Sequence, residues 1–103
     1  MSEHRRVALI TGSGRNIGRS CALRLARDGF DIVVNGSKDR GTCDAVAEDV
    51  EALGRWAVVI MADVGRRSEC QRLAAEAIAA LGQVDVLINN AAIRPPGGFL
   101  EMS

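Results

Sequence analysis

The sequence predicts an α/β fold in which a parallel sheet is covered by helices on both faces. Short apolar runs of strand length alternate with stretches of helical period, the alternation that sets strands side by side in one direction. The runs are apolar throughout rather than alternating, as strands buried on both faces are. A glycine follows each helical stretch, where a left-handed residue would end the helix.

Four runs read as strands: residues 7–11 (VALIT), 31–35 (DIVVN), 56–61 (WAVVIM) and 84–89 (VDVLIN). Between the first two, residues 16–27 carry Ile17, Cys21 and Leu25 at four-residue spacing and stop before Gly29. Residues 42–53 put Val46, Val50 and Leu53 on one face and end at Gly54. The third helix carries a stripe of Cys70, Leu73, Ala74, Ala77, Ile78 and Leu81, with Ser68 and Gln71 as a capping box and Gly82 as the stop. The order is βαβαβαβ, and right-handed crossovers arrange the strands as 3-2-1-4. The expectation is the first part of a Rossmann-type doubly wound parallel sheet, truncated after its fourth strand, with residues 1–103 as the amino-terminal part of one dinucleotide-binding domain. After Asn90 the pattern gives way to a loop through Arg94, Pro95, Pro96, Gly97 and Gly98. The fourth strand is expected to be a bare apolar edge.

Composition narrows the function classes. Hydrophobic residues make up 48% and charged residues 25% of the chain, an ordinary globular balance. Lys+Arg 13 against Asp+Glu 13 leaves no net charge, so no long-range attraction to nucleic acid or an anionic membrane is expected. Cys21, Cys43 and Cys70 are too far apart for a metal site or a disulfide framework, and read as reduced cytoplasmic thiols. Cys21 and Cys70 are expected to be buried in apolar helix faces, and Cys43 to be the more exposed. The apolar run at residues 7–10 is too short for a signal-peptide core or a membrane span.

The chemistry-bearing segment is the turn Thr11-Gly12-Ser13-Gly14-Arg15-Asn16-Ile17-Gly18, between the first strand and the first helix. Glycines there allow close backbone approach, so a pyrophosphate can rest on unpaired amides and the positive end of the helix. Ile17 stands where the third glycine of the simple dinucleotide fingerprint would fall. A triphosphatase phosphate loop fits poorly: Ser13 occupies the leading glycine position and Arg19 that of the lysine. At the end of the second strand, where NAD-binding proteins keep an acidic residue for the ribose hydroxyls, stands Asn35. With no carboxylate to repel a 2′-phosphate, and with Arg15, Ser37, Lys38 and Arg40 nearby, NADP is favoured over NAD. On this reading, placing Asp at position 35 reverses the preference.

These motifs together resemble the first half of a classical short-chain dehydrogenase/reductase. The turn is similar to the family's TGxxxGxG, Asp63-Val64 to its acidic pair after the third strand, and Asn89-Asn90-Ala91-Ala92 to its NNAG run after the fourth. The resemblance covers essentially the whole chain. It implies that Gly12, Gly14, Arg15, Ile17 and Gly18 surround the pyrophosphate and adenosine ribose; Ser13 and Asn16 of the same turn, and Ser37 from the charge at the end of the second strand, complete the expected cofactor contacts. It implies that Asp63 accepts from the adenine amino group with the Val64 backbone alongside, and that Asn90 lines the path to the nicotinamide ribose. Two positions depart from the pattern: Asn16 replaces a glycine of the turn, and Ala92 the last glycine of the run.

The family's catalytic serine, its tyrosine and lysine pair and a further asparagine would fall beyond Ser103, and the chain contains no tyrosine. The resemblance therefore implies no catalytic residue and no metal here. It implies an NADP-dependent oxidoreductase that interconverts carbonyl and hydroxyl groups of a small molecule by hydride transfer. The expected type is a 3-oxoacyl-carrier-protein reductase, homo-oligomeric and cytoplasmic. The competing expectation, from another class, is a noncatalytic nucleotide-binding or interaction module.

Overall fold

The computed structural model describes residues 6–12 and 16–90, with the side chain of Asn16 left out. Seven elements follow in order: β1 (Arg6–Ile10), α1 (Asn16–Arg27), β2 (Phe30–Gly36), α2 (Arg40–Ala52), β3 (Ala57–Met61), α3 (Arg67–Leu81) and β4 (Val86–Ile88). The sheet runs β3-β2-β1-β4, and every pairing in it is parallel. The 3-2-1-4 order expected from right-handed crossovers is the order observed.

Because successive strand residues face opposite sides, β1 and β2 feed two cores. Ala8, Ile10, Ile32 and Val34 join Ala22, Ala26, Cys43, Val46 and Val50 on the side covered by α1 and α2. Val7, Leu9 and Val33 join Ile60, Leu73 and Ala77 on the side covered by α3. Strands at the centre of such a sheet have no solvent face, which is why their sequences are unbroken apolar runs.

The helices sit differently on the sheet than their large apolar residues suggest. On α1 the buried stripe is Gly18, Ala22 and Ala26, while Ile17 is 70% exposed and Leu25 is half-buried. Small side chains let the helix backbone close on the sheet, so the small-residue stripe faces inward. On α3 the buried residues are Leu73 and Ala77. Cys70, Ala74 and Ile78 of the expected stripe are exposed.

The capping box expected at Ser68 and Gln71 does not form. The helix starts earlier, with Arg66 at the N-cap and no side-chain cap bond, so Ser68 already lies inside α3. Asp39 supplies the cap of α2, its carboxylate accepting from the Thr42 amide. Gly82 ends α3 in the left-handed conformation at φ 89°, as the stop signal required.

The fourth strand is shorter than residues 84–89, because Asp85 is used before pairing begins. Its carboxylate accepts from the Val7 amide at 2.8 Å, and its own amide donates to the Val7 carbonyl at 2.8 Å. At the β2 and β3 entrance Asp31, only 1% exposed, accepts from Arg55 Nε at 3.1 Å and from the Trp56 amide at 3.0 Å. That buried carboxylate is paired and hydrogen-bonded, the condition for tolerating a charge there.

The thiols reverse the expected ranking. Cys43 is buried, Cys21 intermediate and Cys70 exposed. Cys43 is the one residue of the first turn of α2 that is buried in the core, whereas Cys70 stands near the start of α3 on a face that solvent reaches. Among the described residues no group of His, Cys, Asp and Glu could hold a metal ion, and no helix is long and apolar enough to cross a membrane.

Candidate functional site

Since all strands run the same way, their carboxyl ends lie along one edge of the sheet. That edge brings together Gly12 after β1, Asn35 and Gly36 at the end of β2, Asp63 after β3, and Asn89 and Asn90 after β4. Ligands of open parallel sheets bind at this edge, where the strand order reverses about β1.

Gly12 takes φ 64°, a conformation that costs glycine little and other residues more. Helix α1 begins at Asn16, and the first amides of a helix have no partner within the helix and lie at the positive end of its dipole. Ser13, Gly14 and Arg15 lie outside the described residues, as do Ala91 and Ala92. Ile17 stands exposed at the opening of α1 and Gly18 is buried one residue later.

The turn is braced from two sides. On the β4 side the Thr11 hydroxyl accepts from the Asn90 amide at 2.8 Å and donates to Asn89 Oδ1 at 3.1 Å. Asn90 Nδ2 donates to the Gly12 carbonyl at 3.4 Å. On the β2 side Asn35 Oδ1 accepts from the Gly12 amide at 3.2 Å, while its Nδ2 donates to the carbonyls of Ile60 at 3.0 Å and Ala62 at 3.3 Å. Asn90 is thus joined to the turn.

Asn35 stands at the end of β2 as expected, but its side chain faces inward. At 2% exposure, its side chain lies under the turn and is occupied by backbone partners, so it does not present itself to a ribose. The reason is strand alternation: Asn35 shares its face with Val33, on the α3 side. The positions at the open end of β2 are Gly36 and the exposed Ser37 and Lys38. None of these is a carboxylate. Arg40 is exposed and pairs with Asp44 at 3.5 Å.

Asp63 is exposed at the end of β3. Its carboxylate accepts from the Gly65 amide at 2.9 Å, and its own amide donates to Glu69 at 3.2 Å. Arg72 holds Glu69 at 2.9 Å and reaches the Met61 carbonyl at 2.7 Å. The Arg72 guanidinium, followed by the Asp63 amide, keeps the Glu69 carboxyl below its ordinary range. Val64 packs against the α3-side core, with its carbonyl accepting from the Cys70 thiol at 3.1 Å.

Sequence reasoning missed Thr11 as a brace and misread the role of Asn35. The available signal for both was a polar residue closing an apolar strand run, a place where a side chain must find partners or pay desolvation.

Residues 6–103 match the family model described as short chain dehydrogenase. The chain is 44% identical over 97 residues to a 3-oxoacyl-(acyl-carrier-protein) reductase of Staphylococcus epidermidis, covering 92% of this chain and 39% of that protein. It is 34% identical over 97 residues to an L-rhamnose 1-dehydrogenase (NAD(P)(+)) of a Sphingomonas species, covering 94% and 38%. Among solved structures, acetoin dehydrogenase from Enterobacter cloacae superposes with a TM-score of 0.82 at 37% identity, over 87% of this chain and 37% of that one. The chain therefore spans less than two-fifths of the length of these relatives. With the family model spanning both the braced glycine turn and the strand ends around it, the chain belongs to the short-chain dehydrogenase family.

Proposed function

We propose that the chain forms the NADP(H)-binding part of an oxidoreductase that interconverts carbonyl and hydroxyl groups, with a 3-oxoacyl thioester as the substrate class. The observation that carries the cofactor choice is the end of β2, where Asn35 is turned inward and Gly36 and Ser37 follow. None of Gly36, Ser37 and Lys38 is a carboxylate that could accept from ribose hydroxyls or repel a 2′-phosphate, and the Asp39 carboxylate that follows is engaged in capping α2. The substrate class rests on likeness to the Staphylococcus reductase.

The residues present suit a dinucleotide. Gly12 opens the turn in a left-handed conformation, and the start of α1 offers amides to a pyrophosphate. Gly12, Ser13, Gly14, Arg15, Asn16, Ile17 and Gly18 would border that group, with Arg15 and Ser37 toward the 2′-phosphate. Asp63 would accept from the adenine amino group, with the Val64 backbone beside it, and Asn90 would line the way to the nicotinamide ribose. The bound cofactor supplies the hydride. The protein segment binds and orients it; proton transfer to the substrate is left to residues that the family resemblance puts beyond Ser103.

Steady-state reduction of a 3-oxoacyl thioester tests the reading, in a protein that carries this chain together with the family's catalytic serine, tyrosine and lysine; residues 1–103 alone are expected to bind cofactor without turnover. Reduction should proceed with NADPH and far more slowly with NADH. Turnover of acetoin or a sugar with no turnover of the thioester would assign a different substrate class.

A further inference from the structure

Asn35 lies across the end of β2, between the turn after β1 and the segment after β3. It accepts from Gly12 on one side and donates to Ile60 and Ala62 on the other. Ala62 directly precedes Asp63. A primary amide can accept and donate in one plane at once. An aspartate here would keep the bond from Gly12 but set a carboxylate oxygen against two carbonyl oxygens. An apolar residue would leave the Gly12 amide without this partner.

We propose that Asn35 is a positioning residue that fixes the spacing between the pyrophosphate turn and the adenine-facing segment, and that it has no part in choosing between the two nicotinamide cofactors. The inference rests on the dinucleotide-binding reading above. Gly12 and Ala62, the residue before Asp63, lie in loops past the ends of separate strands, and the Asn35 side chain on the strand between them bonds to both, beside the backbone bond from the Ala62 amide to the Gly36 carbonyl. Holding both loops in place before binding lowers the cost of ordering them around the ligand. NADP and NAD share the adenosine diphosphate portion that these loops would grip, so the contribution is the same for both.

The test is calorimetric binding of NADP+ and of NAD+ to the protein, comparing wild type with Asn35→Asp and Asn35→Ala. Both variants should weaken both dinucleotides by the same factor, about tenfold for the loss of one or two such bonds, leaving the ratio of the two affinities unchanged. Hydrogen exchange separates positioning from general stability: in Asn35→Ala the Gly12 amide should exchange faster while the Val33 amide, in the same strand, does not. Unchanged affinities, or a variant that loses NADP+ while gaining NAD+, would overturn the proposal. Equal acceleration at Gly12 and Val33, or failure of both variants to fold, would also overturn it by assigning Asn35 to the fold alone. A wild-type protein that binds neither dinucleotide would instead remove the reading on which the proposal rests.

Discussion

The thiol of Cys43 fills the space into which a side chain at Gly36 would project: a Cβ on Gly36 would lie 2.5 Å from Cys43 Sγ. Cys43 is 1% exposed, so its sulfur has little room to move. The open end of β2 therefore carries no side chain at this position because the first turn of α2 has taken its place. Adding even one methyl should strain the core, and Gly36→Ala should cost about 1–3 kcal/mol in denaturant unfolding. Combining it with Cys43→Ala should recover much of that loss, so that the double variant is more stable than the sum of the single effects predicts. Additive effects would show that the two residues do not compete for the same volume.

The thiols should react in the order of their exposure. Cys70 should be labelled first by an aromatic disulfide reagent, Cys21 more slowly, and Cys43 only on unfolding. Burial, followed by weaker effects of Asp39 and Asp44, pushes the Cys43 thiol above its ordinary value of 9.0, against a lowering bond from Thr42. The folded state thus holds this proton where the unfolded state has begun to release it. Its contribution to stability should fall as pH rises past 9.0. Residue-resolved labelling by mass spectrometry checks the order, and early modification of Cys43 would contradict it.

Thr11→Val keeps the shape of the side chain and removes its hydroxyl. The Asn90 amide would lose its acceptor and Asn89 Oδ1 its donor. A loss of about 1–2 kcal/mol is expected, measured by denaturant unfolding. Faster hydrogen exchange at Asn90 should accompany it while the β2 amides stay protected. An unchanged Asn90 amide would show that the strand end is held by other means.

The sheet was legible in the sequence because 31–35 and its neighbouring runs are apolar in a way only a twice-covered strand needs. The stops at Gly54 and Gly82 were legible for a similar reason: both take positive φ, which few other residues adopt readily. Which face of a helix turns inward was harder to read. For α1, counting large apolar residues pointed to Ile17, Cys21 and Leu25, yet close helix–sheet approach favours Gly18, Ala22 and Ala26. The same difficulty hid the burial of Cys43. The motifs read from the sequence all fall at the carboxyl edge of the sheet, but a side chain one residue from a strand end faces either side. Asn35 and Gly36 exchange roles on that single step.

The central claim is that the open end of β2 admits a 2′-phosphate, and equilibrium binding of NADPH and NADH to the protein tests it most directly. Arg15, in the turn sequence, is expected to supply a charge-assisted hydrogen bond to that phosphate, worth about 1.5–3 kcal/mol. NADPH should therefore bind at least about tenfold more tightly, and Arg15→Ala should weaken NADPH while leaving NADH unchanged. Equal or tighter binding of NADH, with neither affinity altered by Arg15→Ala, would contradict the account.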